Sequence, residues 1–159
     1  MKNVTLKNAF IKMLLIVSVI MSTQNAFAQI KPSDGSVIKK SIYSFSDTVD
    51  ILTGAIEGQN LMIIKIIDGQ RMLRMAGKQI NGMKQIFFFN PIYMKRVMDA
   101  NKEATIQIPL KMIVMEKPNK IVIIKYFKPS TLLNAYKGEE AIAKELDGLI
   151  DNIVSEIMK

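Results

Sequence analysis

The chain contains no cysteine, no histidine and no tryptophan among its 159 residues. Without cysteine there is no disulfide framework, no thiol nucleophile and no thiolate metal site. Without histidine, the commonest general base near neutral pH and the commonest metal-binding imidazole are both missing. Serine–histidine and cysteine–histidine catalysis are therefore excluded. Walker, dinucleotide-binding and zinc spacings are absent as well, so no cofactor and no metal is expected. No repeat, heptad seam or low-complexity tract interrupts the chain. The apolar run Met13–Met21 is nine residues long, well short of the roughly 20 needed to span a bilayer as a helix.

That short run has a recognisable context. Lys2, Lys7 and Lys12 precede it, and the small-x-small triplet Ala26-Phe27-Ala28 follows it, ahead of Gln29. This is the order of a secretory signal peptide, with cleavage expected after Ala28. The sequence thus predicts a periplasmic or secreted protein with no transmembrane anchor, and no cysteine to carry a lipid. The remaining chain, 29–159, is sized for one domain. Removing three of the 22 basic residues leaves 19 against 14 acidic ones, a net charge of +5. A mild basic balance suits a soluble surface or an anionic envelope surface, while export argues against nucleic acid.

Residues 29–36 (QIKPSDGS) read as a flexible lead. A first strand is expected over Val37–Phe45, followed by a helix capped by Ser46, with Asp47 at its positive end. Val49, Leu52, Ala55 and Ile56 keep helical spacing, and Gly58 and Asn60 can close that helix. A second strand, Leu61–Asp68, precedes a short helix over Gln70–Lys78 and a turn at Asn81-Gly82. The third strand, Met83–Phe89, ends in three phenylalanines. It must stop at Asn90, because Pro91 has no N–H for a sheet neighbour and biases Asn90 away from the α region. The same pair suits the start of a helix, asparagine as cap and proline in the first turn.

From Thr105 the residues alternate, with Ile106, Ile108, Leu110, Met112 and Val114 on one face. Pro109 points to an edge or bulged position. Glu116–Ile121 (EKPNKI) reads as a hairpin turn into a fifth strand, Ile121–Phe127. A helical link over Ser130–Tyr136 follows. Glu139–Lys159 then reads as a long helix, with Ile142, Leu146, Leu149, Ile150, Ile153 and Ile157 in one stripe. The order predicts an α+β fold with helices on one face of an antiparallel sheet. Strands four and five are apolar on both faces over Ile113–Met115 and Val122–Ile124. This implies a covered second face, whether by a second copy, a ligand or the linking helices.

These elements resemble the bacterial and archaeal family called domain of unknown function 302. The resemblance runs from Val37 to Ile157. It is carried by Thr48-Val49-Asp50-Ile51-Leu52 and Gly58, by Ile67-Asp68, by Asn90-Pro91, by IPLKMIVME with its proline and closing Glu116, and by the Tyr126-x-x-Pro129 exit. It implies a single β-α-β4-α domain over 37–159, akin to the saddle of TATA-binding protein, and a homodimer. It implies no established activity. One position departs from the pattern, since Gly69 stands where the family commonly has a histidine.

Asp68, Asn90, Glu116 and Tyr126 are the candidate ligand-binding residues, polar groups at element ends that could orient a molecule. The leading expectation is a non-enzymatic domain that holds a small apolar or amphipathic ligand between sheet and helices. A second is an envelope hydrolase or isomerase using Asp68 and Glu116 as acid and base, which requires the two carboxylates in one concave site. A third is a basic interaction protein that meets anionic envelope surfaces through Arg71, Arg74, Lys78, Lys84, Lys95, Arg96 and Lys102. Asp68 as a turn cap, Glu116 as a solvated strand end and Asn90 as a plain helix cap are the structural alternatives. The nine methionines beyond residue 28 read as core packing rather than as a copper site.

Overall fold

In this computed structural model, residues 32–159 are described. The signal-peptide reading, with cleavage after Ala28, lies outside them. Strand β1 (Val37–Lys40) is followed by helix α1 (Phe45–Gly58), β2 (Met62–Asp68), α2 (Gly69–Met75), β3 (Met83–Phe89) and α3 (Pro91–Ala100). A 3-10 segment (Lys102–Gln107) leads into β4 (Leu110–Glu116), and a 3-10 turn (Pro118–Lys120) into β5 (Val122–Tyr126). Helix α4 (Pro129–Leu133), helix α5 (Glu140–Ser155) and a final 3-10 turn (Glu156–Met158) complete the chain.

All five strands join one antiparallel sheet in the order β1-β5-β4-β3-β2. The long helices pack on one face, giving the expected α+β arrangement. Alternation decides which side chains enter the core. Ile86 and Phe88 of β3, Met112 and Val114 of β4 and Ile124 of β5 are fully buried. They meet Leu52 and Ile56 of α1 and Leu146, Ile150 and Ile153 of α5.

Several boundaries differ from the expectation for local reasons. Strand β1 stops at Lys40, and Ser44 rather than Ser46 caps α1: its Oγ accepts a hydrogen bond from the Asp47 N–H at 3.2 Å. Thr105–Gln107 is 3-10 helix rather than strand, and Ile106 is 78% exposed. Alternation starts at Ile108 and holds through Val114. Strand β4 is central, between β3 and β5, not an edge. Pro109 is tolerated because it lies just before the ladder, where no N–H is required. The last helix is shorter than its apolar stripe suggests, with Glu139 just ahead of it.

Among the described residues, no long helix covers the second sheet face. The register places Ile38, Lys125, Ile113, Gln85 and Ile67 in one row across it. Lys40, Ile123, Met115 and Met83 form a second row, and Lys111, Phe87 and Lys65 a third. The surplus apolar side chains of strands four and five are thus interleaved with lysines, and no strand position on this face holds a carboxylate. Asp34 reaches its border, where Lys125 Nζ donates to Asp34 Oδ2 at 2.6 Å. Asp34 Oδ1 also accepts from Ser36 N and Oγ, so the end of the lead is tied down.

Candidate functional site

The four candidate residues do not converge. Asp68 ends β2 and caps α2, its Oδ1 accepting from the Arg71 N–H at 2.8 Å. Glu116 ends β4 and pairs with Lys120 at 3.2 Å. Strand β3 lies between them: Asp68 pairs with Lys84, while the Glu116 N–H donates to the Gly82 carbonyl. Two strand spacings and two residues of offset put their Cα atoms about 12 Å apart. Each carboxylate is committed to a local partner, Asp68 to the Arg71 N–H and Glu116 to Lys120.

Asn90 lies at a cleft of about 440 Å³ between the end of α1, the start of α3 and α5. Its Oδ1 accepts from the Ile92 N–H at 2.7 Å, and its Nδ2 donates to the Asn60 carbonyl at 2.6 Å. Across the cleft, Glu145 accepts from Tyr93 Oη at 2.8 Å and from Arg96 Nη2 at 2.7 Å. The Arg96 guanidinium also lies 5.3 Å from the centre of the Tyr93 ring. Arg96 and then Tyr93 hold the Glu145 carboxyl below its ordinary range, while burial and Glu145 push the Tyr93 phenol up. These groups satisfy one another. The arrangement ties α3 to α5 and asks for no ligand.

Tyr126 is different. It lies on β5 facing the helices and is only 3% exposed, yet its hydroxyl has no hydrogen-bond partner. Buried hydroxyls in native proteins are nearly always paired, so an orphan calls for a cause. Burial first, then the Asp151 and Asp147 carboxylates, push its phenol up to about 12. It therefore stays protonated and remains a donor. Above it opens a cleft of about 390 Å³, bounded by Val37 and Lys39 of β1, Lys128, and Asp151, Val154 and Ser155 of α5, with Met158 beyond. Register explains the wall: Val37 pairs with Tyr126 and Lys39 with Ile124, so both β1 side chains face the same way as Tyr126. Lys128 Nζ donates to Asp151 Oδ2 at 3.1 Å across the mouth. The lining thus offers a phenol donor and two ammonium groups against one carboxylate, beside three apolar side chains.

Of the candidate residues, only Tyr126 carries an unexplained group. Lys39, Lys128, Asp151 and Ser155 escape sequence reasoning because α5, which carries the last two, meets the first two from far along the chain. Lys39 alone had a signal, since alternation along β1 sets it on the face of Val37. Glu139, where the sequence starts the long helix, is 1% exposed with both carboxylate oxygens unpartnered. Burial, then Glu140, push its carboxyl up. Neither the Asn90 cleft nor the Tyr126 cleft is lined by it. Among the described residues no cluster of three acidic side chains could hold a metal ion, and no helix is long and apolar enough to cross a membrane.

At Gly69, a Cβ would collide with the Met83 side chain and lie 3.4 Å from the Met83 carbonyl oxygen. The methionine fills the space that a histidine side chain would enter, so Gly69 and Met83 form a complementary pair.

An antiparallel sheet with long helices on one face defines this chain as an α+β domain. The chain belongs to the family described as "Domain of unknown function DUF302", whose model matches residues 37–157. It is similar in structure to an uncharacterised conserved DUF302 protein from Bacillus stearothermophilus, known from its crystal structure. The TM-score is 0.71 at 16% identity, over 77% of this chain and 98% of that one. No curated protein matches the chain.

Proposed function

We propose that the protein is an exported, non-catalytic binding domain that takes a small anionic amphipathic molecule in the Tyr126 cleft. The orphaned Tyr126 hydroxyl carries this reading. A carboxylate head group would meet Lys39 and Lys128 at the mouth and, entering far enough to uncover the Tyr126 hydroxyl, which is buried in the unliganded fold, would accept from the phenol, while the apolar body would lie against Val37, Val154 and Met158. A charge-assisted hydrogen bond in a partly dry cleft is worth about 1.5–3 kcal/mol. The leading sequence expectation is therefore kept in chemistry but moved in place. The space between sheet and helices is filled by core side chains, and the room for a ligand lies at the margin where β1 and β5 meet α5. Export rests on the Lys2–Ala28 pattern, with cleavage after Ala28 delivering the domain to the periplasm or medium. The acid–base reading of Asp68 and Glu116 draws no support from their positions.

The test uses protein purified from cells expressing the full chain, with dodecanoate as probe in calorimetry. Saturable binding is expected, weakened roughly tenfold or more by Tyr126→Phe. Dodecyltrimethylammonium, with the opposite charge, is expected not to bind. Absence of dodecanoate binding, or binding indifferent to Tyr126→Phe, ends this reading. Intact mass of the periplasmic or secreted form checks export, with a chain starting at Gln29 as the expected result.

A further inference from the structure

Core packing is the expectation for the methionines beyond residue 28. Met112 meets it, at 0% exposed. Met72 and Met75 of α2 do not, at 56% and 74% exposed. A thioether left in water gains little from burial, so packing leaves these two side chains unexplained. They belong to a corner that holds two more. Met83 opens β3, and Met115 on β4 is its direct partner, both half-buried on the second sheet face. Side chains opposed in this way have Cβ atoms about 4.5–5.5 Å apart. The Met83 methyl group reaches past the end of β2 to the buried Gly69, where a Cβ on the glycine would strike it. Gly69 is the first residue of α2, and Met72 lies one turn on along the same helix face. Helical side chains lean back toward the N-terminus, which carries Met72 toward Gly69 and Met83, and Met75 toward Met72. Sheet register and helix geometry thus bring thioethers from three elements to one place.

We infer that this corner binds a soft monovalent metal ion, cuprous copper, through the sulfur atoms of Met72, Met83 and Met115, with Met75 beside them. Thioether sulfur is neutral and polarisable, and it suits cuprous ion where hard cations take oxygen donors. The unbranched methionine side chain, with three rotatable bonds, lets several sulfurs close on one ion without moving the backbone. Charge does not oppose this. Asp68 immediately precedes Gly69 and Glu116 immediately follows Met115, so two carboxylates flank the corner that gains a positive charge. Helical spacing turns Arg71 and Arg74 to the side of α2 away from Gly69. Met94 and Met98 of α3 provide a contrast within the same chain. They share a helix face and are 42% and 43% exposed, but they stand on a helix alone, without a cross-strand methionine pair against them. The corner lies on the opposite sheet face from Tyr126, so the inference stands independently of the ligand reading.

A chain with neither cysteine nor histidine gives a direct test, because binding of a soft metal then reports on methionine. The probe is silver(I), a redox-inert stand-in for cuprous ion, added in nitrate buffer. The protein comes from cells expressing the full chain and carries methionine labelled with carbon-13 at its methyl group. Saturable binding of one ion per chain is expected, with the methyl resonances of Met72, Met83 and Met115 moving most. Met72→Leu combined with Met75→Leu changes only exposed side chains, so circular dichroism is expected to stay unchanged while silver binding weakens roughly tenfold or more. Met94→Leu combined with Met98→Leu is expected to leave the affinity as it was. Cuprous ion under ascorbate is expected to rank the three proteins in the same order. Methyl resonances that show no saturable response to silver overturn the inference. So do shifts as large at Met94 and Met98 as at Met72, or an affinity indifferent to the Met72 and Met75 substitutions.

Discussion

The Phe45 ring lies against the backbone of Gly82 so closely that a Cβ on the glycine would sit 2.7 Å from Cδ1 and 2.9 Å from Cγ of the ring. Phe45 opens α1 and Gly82 precedes β3, so this contact fastens the first helix to the sheet. Gly82→Ala is expected to force the ring or the turn aside and cost about 1–3 kcal/mol, the usual range for overpacking. Gly54, within α1, has nothing within 4 Å of its built Cβ. There, Gly54→Ala is expected to stabilise by about 0.5–1 kcal/mol, because alanine is the better helix former. Urea unfolding of both variants checks the pair: opposite signs are expected, and equal signs contradict the packing at Gly82.

Asn90 holds two elements at once, the α3 N-terminus through Oδ1 and the end of α1 through Nδ2 to the Asn60 carbonyl. Asn90→Ala removes both bonds and is expected to cost about 1–2 kcal/mol. Asn90→Asp keeps the acceptor and loses the donor, so it is expected to fall between alanine and the native residue. If aspartate is no better than alanine in thermal unfolding, the cap contributes little.

That junction was legible in the sequence for a plain reason. Proline lacks an N–H and restricts its predecessor, so the strand of three phenylalanines had to end at Asn90 whatever the tertiary context. The core stripe of α5 and the alternation of Ile108–Val114 were legible because burial imposes a period. What escaped depends on distance along the chain. Ser44 and Ser46 are equally good caps by residue type, and the choice follows from β1 ending at Lys40. The 3-10 segment at Lys102–Gln107 contains residues that alternate as a strand does, so Ile106 was counted into the sheet. The Tyr126 cleft depends on Lys128 meeting Asp151 and on α5 crossing β1, neither of which has a local pattern. The second sheet face was half legible: its apolar surplus was visible, but its interleaving with lysine needs the register of five strands.

Tyr126→Phe removes an unpaired buried hydroxyl and leaves the ring in place. In unliganded protein it is expected to be neutral or stabilising by up to about 1 kcal/mol, because the desolvation cost of the orphan group disappears. The same substitution is expected to weaken dodecanoate binding. A loss of stability in the unliganded protein shows instead that the hydroxyl is satisfied in the native fold, and removes the motive for a ligand there.

Glu139 offers a pH test with a definite sign. Burial lifts its carboxyl in the folded protein, outweighing the favourable positive end of α5. A carboxyl lifted on folding contributes stability that is complete below its unfolded value near 4.3 and declines as pH rises through the folded value. The native protein is therefore expected to lose stability over that window, and to level off once the group has ionised. Glu139→Gln cannot ionise, so it is expected to unfold at a higher temperature than the native protein at pH 7. The advantage is expected to shrink by pH 4, where both side chains are neutral. Thermal unfolding of the two proteins from pH 4 to pH 8 measures the difference directly. A constant difference across that range rules out titration of Glu139 as its origin, and a native protein more stable than Glu139→Gln at pH 7 means that the carboxylate is paired rather than orphaned.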